Sequence, residues 1–271
     1  DGKNIVFTDI QKGPVMRVAT YERGRLRFWT DPFEINVSNE FHFFTPSDSV
    51  QDVTLFAKYT LRADEMFLNR MIGGTFEGSN DPDFREKEVL YLINEKPKRL
   101  QTVVQSYSSK SYRYVRYIGP KDSHCNIAEA AFYTPNDTAS LKGKVIGTPG
   151  CFQKDGSHEY TNVFDGDVTT SFDYIEPSGG WSGLDLGTPK QIGRIVYTPR
   201  SYDNYIRSGD DYELFYCARR NNWKSLGDQR SKADSLIYIK IPVNALLLLC
   251  NNTRGIQERI FVYTAAEQIW K

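Results

Sequence analysis

The stretch GWSGLDLGTPKQIGRIVY at residues 180–197 decides the fold class, because it ends in the run Arg194-Ile195-Val196-Tyr197. Runs of β-branched and aromatic residues favour strands, since such side chains fit a pleated, half-buried surface. The turn signal Ser178-Gly179-Gly180 stands just before the stretch. The same alternation of turn and strand-like run continues in both directions, which indicates a β-sheet protein.

Strand-like runs recur along the whole chain, and turns rich in Gly, Pro and Asn separate them. Few windows carry a helical period, and residues 62–72 are the best candidate for a short helix. The 17 Tyr and 16 Phe residues far outnumber the 3 Met residues, a mixture typical of sheets. The sequence therefore predicts an all-β fold, with strands in the following segments: 25–29, 53–56, 89–93, 112–117, 194–197, 212–216, 236–239, 246–249 and 259–263.

Two modules are expected, because 271 residues exceed the usual size of one domain. The stretch from Thr134 to Ser140 has the Pro, Asn, Asp and Ser content of a connector. A weak internal repeat, in which residues 115–132 resemble 247–261, favours two related sandwiches. We predict tandem β-sandwich domains at 1–138 and 144–271.

Charge and hydropathy narrow the classes of partner. Lys and Arg total 34, as do Asp and Glu, so no long-range positive field favours nucleic acid. The longest apolar run, from Ala245 to Cys250, is far shorter than the roughly 20 residues that cross a bilayer. We expect a soluble monomer that binds no nucleic acid and does not insert into a membrane.

The four cysteines lack a C-x-x-C spacing, and a chain of this length does not need disulfide staples. All four are expected to be free. Because Cys217 and Cys250 each end a strand-like run, a bridge between those two is the alternative.

Three motifs carry a family resemblance: Val163-Phe-Asp-Gly-Asp-Val-Thr-Thr170, Gly180-Trp-Ser-Gly-Leu-Asp-Leu-Gly187 and Ile192-Gly-Arg-Ile-Val-Tyr197. In order and spacing they are similar to the D-G-x-x-x-T loop, the D-L-G strand and the next strand of discoidin (coagulation-factor C-type) domains. The first module resembles that family only in its later part, at 112–117 and 124–129. The resemblance implies jelly-roll, galactose-binding-like sandwiches in a larger protein that is secreted, periplasmic or at the cell surface.

A cation loop is one expectation. Asp165 and Thr170 offer oxygen ligands on one tight turn, and the carbonyls of Asn162 and Asp167 can complete an all-oxygen cage for Ca²⁺ or Na⁺. The resemblance implies that Glu258 on the last strand closes this site. The alternative is that the same side chains only hydrogen-bond the turn.

A glycan site is the other expectation, because the resemblance places the specificity loops at one end of the sandwich. Sugars bind through a stacked aromatic ring and a few polar groups. The alternative is that Trp181 belongs to the core and that the arginines pair with nearby Asp residues. The candidate ligand-binding residues are Trp181, Arg200, Tyr202, Asn204, Tyr205 and Arg207.

Catalysis has little support, because His42, His124 and His158 stand alone, without a nucleophile elbow, a phosphate loop or an H-E-x-x-H pair. The sequence predicts a non-catalytic carbohydrate-binding or surface-attachment module pair whose partner is a glycan or glycoconjugate. The alternative is a structural or protein-interaction spacer that contacts neighbouring domains and accompanies a catalytic domain outside this chain.

Overall fold

The described residues of the computed structural model are 8, 10–58, 62–218, 222–255 and 258–271, with the backbone alone for 62–65. Across them, strands accompany one short α-helix and one 3₁₀-helix. The all-β prediction is confirmed, and the short helix predicted at 62–72 is present at Arg62–Asn69.

The elements follow one another in short steps. The first strands are β1 (Ala19–Glu22), β2 (Arg25–Trp29), β3 (Phe33–Ile35), β4 (Phe41–Phe43) and β5 (Val50–Leu55). Next come α1 (Arg62–Asn69), β6 (Thr75–Ser79), β7 (Lys87–Leu92), β8 (Thr102–Gln105), β9 (Ser111–Ile118), β10 (Ile127–Tyr133), β11 (Lys144–Gly147), the 3₁₀-helix Tyr160–Phe164, β12 (Trp181–Gln191) and β13 (Arg194–Pro199). The last strands are β14 (Asp211–Ala218), β15 (Asn222–Arg230), β16 (Leu236–Pro242), β17 (Leu247–Asn251), β18 (Ile260–Thr264) and β19 (Glu267–Trp270).

The chain divides into two compact units. The central unit is Thr60–Tyr205, and the terminal unit combines Asp1–Tyr59 with Ile206–Lys271. In sequence, one unit is therefore nested inside the other.

The central unit is a sandwich of two antiparallel sheets. One sheet has the strand order β11-β12-β9-β6-β7, and the other has the order β10-β13-β8. Leu184 lies opposite Val115 in the first sheet, and Phe132 lies opposite Ile195 in the second. These side chains belong to one buried apolar cluster, so the two sheets pack face to face.

The structure does not divide at the connector where the sequence predicted a boundary. β10 precedes the connector and pairs with β13 after it, and β9 likewise pairs with β12. The modules expected at 1–138 and 144–271 therefore share a sandwich. A polar, turn-forming composition marks a chain reversal, but it does not tell whether the next strand joins the same sheet.

The terminal unit has its own core. Its main sheet has the order β15-β14-β17-β18-β19, while β5 and β16 form a two-stranded ladder that pairs Val53 with Tyr238. Val53, Tyr238, Leu214 and Phe261 belong to one buried cluster that joins the ladder to the main sheet. β1 with β2 and β3 with β4 form separate hairpins.

The cysteine prediction is confirmed, because Cys125, Cys151, Cys217 and Cys250 are all free. Cys250 lies opposite Glu213 in the β14–β17 ladder, not opposite Cys217, so the alternative bridge does not form. Among the described residues, no helix is long and apolar enough to span a bilayer.

Candidate ligand and cation sites

The Asp165 loop follows the 3₁₀-helix and turns sharply at Gly166, whose φ of +83° lies in the left-handed region. Asp165 Oδ1 accepts a hydrogen bond from the Asp167 backbone N–H at 2.7 Å, and Oδ2 accepts one from Thr170 Oγ1 at 2.7 Å. The Asp165 carboxylate thus organises the turn, as expected if these side chains hydrogen-bond the turn.

Glu129, from β10, lies against this loop. Its Oε1 accepts a hydrogen bond from the Gly166 backbone N–H at 2.9 Å. Burial, followed by the hydrogen bond and negative charge of Asp165, raises the pKa of Glu129 to about 8. Two carboxyl groups therefore meet at one turn.

The sequence named Glu258 for this position, and the structure places Glu129 there instead. Glu258 belongs to the terminal unit, where its Oε1 accepts a hydrogen bond from the Asn251 backbone N–H at 3.0 Å. The prediction for Glu258 was wrong because it assumed a domain boundary near residue 140. The strand that follows Glu258 does not belong to the sandwich that contains the Asp165 loop.

The oxygen atoms around Asp165 are of the kind that bind a hard cation. The carboxylates of Asp165 and Glu129, the Thr170 hydroxyl and main-chain carbonyls are all oxygen ligands, the type that Ca²⁺ prefers. Asp167 turns its own carboxylate toward Thr169, and the Asn162 side chain donates to Ser157 O and Ser171 O. The main-chain carbonyls of both residues accept hydrogen bonds within the turn: Asn162 O from the Asp165 backbone N–H, and Asp167 O from the Thr170 backbone N–H at 3.1 Å and Thr170 Oγ1 at 3.0 Å. In the described part of the chain, no group of three or more His, Cys, Asp or Glu side chains is arranged to hold a metal.

Arg200, at the end of β13, is buried and ion-paired. Its Nη1 lies 2.6 Å from Asp173 Oδ2 and donates to Asn126 Oδ1 at 3.1 Å, and its guanidinium stands 4.3 Å from the centre of the Phe67 ring. These partners hold the start of the 200–205 loop. None of the three carried a sequence signal, because they are brought to Arg200 only by the sandwich.

The remainder of that loop combines an exposed ring with buried polar atoms. Tyr202 is 49% exposed, and its ring centre lies 5.8 Å from that of Phe67. Ser201 Oγ and Asn204 Oδ1 are buried without a hydrogen-bond partner in the described structure. Unsatisfied buried polar groups are rare in folded proteins, so two in one loop indicate a place for a ligand or water.

The other predicted ligand residues are elsewhere. Tyr205 is 4% exposed and packs with Leu68 and Leu100, so it belongs to the core. Trp181 stands on the outer face of the five-stranded sheet, where its ring lies 5.7 Å from Phe84. Arg207 belongs to the terminal unit, where its backbone N–H donates to Tyr212 Oη at 2.8 Å. Of the predicted ligand residues, the 200–205 loop therefore contains Arg200, Tyr202, Asn204 and Tyr205, and among these four only the Tyr202 side chain is exposed.

The histidines contact backbone and neutral polar groups. His42 Nε2 lies 3.1 Å from Asn244 Oδ1, and His124 Nδ1 lies 2.9 Å from Tyr174 O. His158 Nδ1 lies 3.1 Å from Ser171 Oγ and 3.2 Å from Ser171 O, a serine contact that the sequence did not suggest. Ser171 is only 2% exposed, so its hydroxyl is closed to a substrate in this conformation.

No protein-family model, curated protein or solved structure matches this chain. The functional proposals below therefore rest on the residues of the chain and their geometry.

Proposed function

We propose that this chain is a non-catalytic carbohydrate-binding or surface-attachment part of a larger secreted or cell-surface protein. In this proposal the central unit is a discoidin-like sandwich, and its 200–205 loop binds a saccharide. The paired five-stranded and three-stranded antiparallel sheets support this assignment.

The 200–205 loop is the observation that carries the proposal. A half-exposed Tyr202 backed by Phe67 offers a ring face for a pyranose, and cyclic sugars commonly bind by such contacts. In the same loop, Ser201 Oγ and Asn204 Oδ1 are buried without a partner in the described structure. Sugar hydroxyls could donate to these atoms only after the loop opens, so the exposed Tyr202 ring is the contact that is accessible in this conformation. The buried Arg200–Asp173 pair fixes the loop and reduces the entropic cost of binding.

Calcium is the cofactor that we propose for the Asp165 loop. A bound Ca²⁺ would neutralise the Asp165 and Glu129 carboxylates and stiffen the turn between the 3₁₀-helix and β12. The role of these residues is to hold the loop, and no chemical step is assigned to them.

The test is a glycan-array screen of the intact chain beside Tyr202→Ala, with Ca²⁺ and with chelator. Loss of a stacking ring costs about 1–2 kcal/mol, so we expect roughly five- to thirtyfold weakening on the glycans that the parent binds. Phe152→Ala is the matched control, because Phe152 is another exposed aromatic residue of the same unit, at 57% exposure, and its removal should leave binding unchanged.

Silence of the folded parent on the array, or equal binding by Tyr202→Ala, would refute the glycan proposal. Either result would favour the second candidate, a spacer that contacts other proteins. The terminal unit supports that alternative, because Tyr21, Phe28 and Phe41 of its hairpins are more than half exposed, at 67%, 61% and 60%.

A further inference from the structure

The outer face of the three-stranded sheet carries a groove. In the strand order β10-β13-β8, Phe132 and Ile195 belong to the buried core of the sandwich, so the residues next to them along each strand point outward. These outward-facing side chains line a cavity of about 260 Å³. All of the lining residues belong to the central unit, and none belongs to the 200–205 loop.

The floor of this groove is apolar. Ala131, Val196 and Val103 lie directly opposite one another on the three strands, and all three line the groove. Val103 is 58% exposed on the edge strand β8. Three adjacent strands make a strip roughly 10 Å wide, which is enough for the CH face of a sugar ring.

Arg194 stands at one side of the apolar strip, opposite Tyr133 in the next row of the ladder, and both residues line the groove. The Arg194 guanidinium lies 4.1 Å from the centre of the Tyr133 ring, and Nη2 donates to Asp137 O at 3.4 Å. Neither contact supplies a negative charge. The ring holds the planar guanidinium in place, so its other N–H groups can bind an anion.

Arg113, on the five-stranded sheet, shows how a similar arginine is satisfied within the chain. It also stands over a tyrosine ring, 5.0 Å from the centre of Tyr114, but the two Asp185 carboxylate oxygens accept its hydrogen bonds. Arg194 has the ring and, among the described residues, no carboxylate as an ion-pair partner. A planar anionic group on a ligand would bind Arg194 as Asp185 binds Arg113.

The far side of the groove is polar and is closed by the Asp165 loop. Gly166 and Val168 line the groove there, beside Glu129. Gln101, which is exposed, adds an amide that can donate and accept hydrogen bonds. Glu129 lies four residues along the strand from the row of Arg194, which is about 13 Å, so salt largely screens its charge from an anion at Arg194.

We propose that this groove binds an acidic saccharide, with the CH face of a sugar ring on Val196 and Val103 and a carboxylate or sulfate group on Arg194. A sugar ring has apolar faces and a rim of hydroxyl groups, which matches an apolar strip between polar residues. The proposal rests on the proposed function for its ligand class, but it uses no residue of the 200–205 loop.

The experiment is calorimetric titration of the full chain with three oligosaccharides: trigalacturonate, a sulfated galactan tetrasaccharide and neutral galactotriose. We expect the two acidic ligands to bind at least fivefold more tightly than galactotriose at low salt, and we expect this preference to shrink at high salt. Tighter binding of the uronate would assign a carboxylate to Arg194, and tighter binding of the sulfated ligand would assign a sulfate.

Substitutions in the groove locate the site. Arg194→Gln should weaken binding of the acidic ligands about tenfold and leave galactotriose unchanged, because only the anion loses its partner. Arg194→Lys keeps the charge without the planar fork and should weaken the acidic ligands about threefold. Val103→Gln should weaken all three ligands about threefold, because it removes part of the apolar floor.

Two matched controls lie on the other sheet. Arg113→Gln removes an arginine that already has its carboxylate partner, and Val89→Gln removes a valine that is 41% exposed on the edge strand β7. Both variants should bind the three ligands as the parent does. Binding of galactotriose reports that each variant is folded.

Several results would overturn the proposal. These are equal affinity for acidic and neutral ligands, acidic binding by Arg194→Gln that equals that of the parent, or an equal loss in Arg113→Gln, which would reduce the preference to an effect of net charge. Loss of the acid preference in Tyr202→Ala would move it to the 200–205 loop. Binding that survives Tyr202→Ala but is weakened in Arg194→Gln would refute the 200–205 site and support this one, so the two failures are distinguishable.

Discussion

Glu77 and Glu129 both belong to the central sandwich, but the charge of Glu77 is balanced by nearby cations, whereas Glu129 lies beside another carboxyl group. Glu77 is 3% exposed, and its Oε2 lies 2.7 Å from Arg116 Nη2, while its Oε1 lies 2.9 Å from Lys87 Nζ. The Arg116 guanidinium in turn lies 4.0 Å from the centre of the Phe84 ring. The chain itself therefore supplies the countercharge for this buried acid.

Glu129 instead meets a second carboxyl group, that of Asp165, and a backbone N–H. Proximity of like charges favours protonation of one group or the arrival of a cation from solution. Glu77 is therefore a buried acid that stabilises the sandwich, whereas the protonation of Glu129 depends on the pH and on cations in solution.

The largest effect is expected for Arg116→Met. The substitution leaves Glu77 buried with only Lys87 as its cation, and breaking a buried pair costs about 3–5 kcal/mol of unfolding free energy. Urea denaturation measures the loss. The double variant Arg116→Met/Glu77→Gln should recover most of it, since the buried charge is gone and Lys87, whose side chain is 41% exposed, loses its partner only at the surface. A loss below about 1 kcal/mol in the single variant would contradict a structural role for the pair.

Calcium should stabilise the parent chain through Glu129. A site filled at 100 times its dissociation constant adds about 2.7 kcal/mol to the free energy of unfolding, which thermal denaturation with Ca²⁺ and with chelator can detect. Glu129→Gln should remove most of the calcium response. Glu258→Gln is the control, because Glu258 contacts Asn251 in the terminal unit, and it should respond as the parent does. The reverse pattern would restore Glu258 as the ligand.

In chelator, the stability of the parent should fall as pH rises. The folded pKa of Glu129, about 8, lies above its ordinary value of 4.5, so the folded state binds more protons than the unfolded state between these values. The contribution is fully present below pH 4.5 and is lost as pH rises through about 8. Partial exposure limits it to about 1–2 kcal/mol. Glu129→Gln should show a flatter pH profile than the parent, and parallel profiles would contradict the carboxyl pair.

The all-β fold class was predictable from local sequence patterns, whereas the division of the chain into two units was not. Runs such as Arg194 to Tyr197 need only strand propensity, and the structure contains that strand as β13. The pairing of β10 with β13 joins segments about 65 residues apart, and β5 with β16 joins more distant ones. Periodicity does not encode such non-local pairing, so a connector inside a sandwich looked like a boundary.

The same limit explains which site residues were found. Asp165, Thr170 and Gly166 form a local turn whose composition shows its own geometry. Glu129 comes from another strand, β10, and no local pattern brings it to the loop.

The smallest effect is expected at the pair of Arg113 and Asp185, the more exposed counterpart of the Glu77 pair, with side chains 43% and 20% exposed. Arg113 Nε and Nη2 donate to the two Asp185 carboxylate oxygens at 2.8 and 2.9 Å. These hydrogen bonds, with one from the Gly187 backbone N–H, hold the pKa of Asp185 at about 2. NMR titration should show that value returning toward 3.8 in Arg113→Gln. The same substitution should leave the urea midpoint near neutral pH almost unchanged, because water screens a surface pair. A loss as large as that of Arg116→Met would show that burial is not what separates the two pairs.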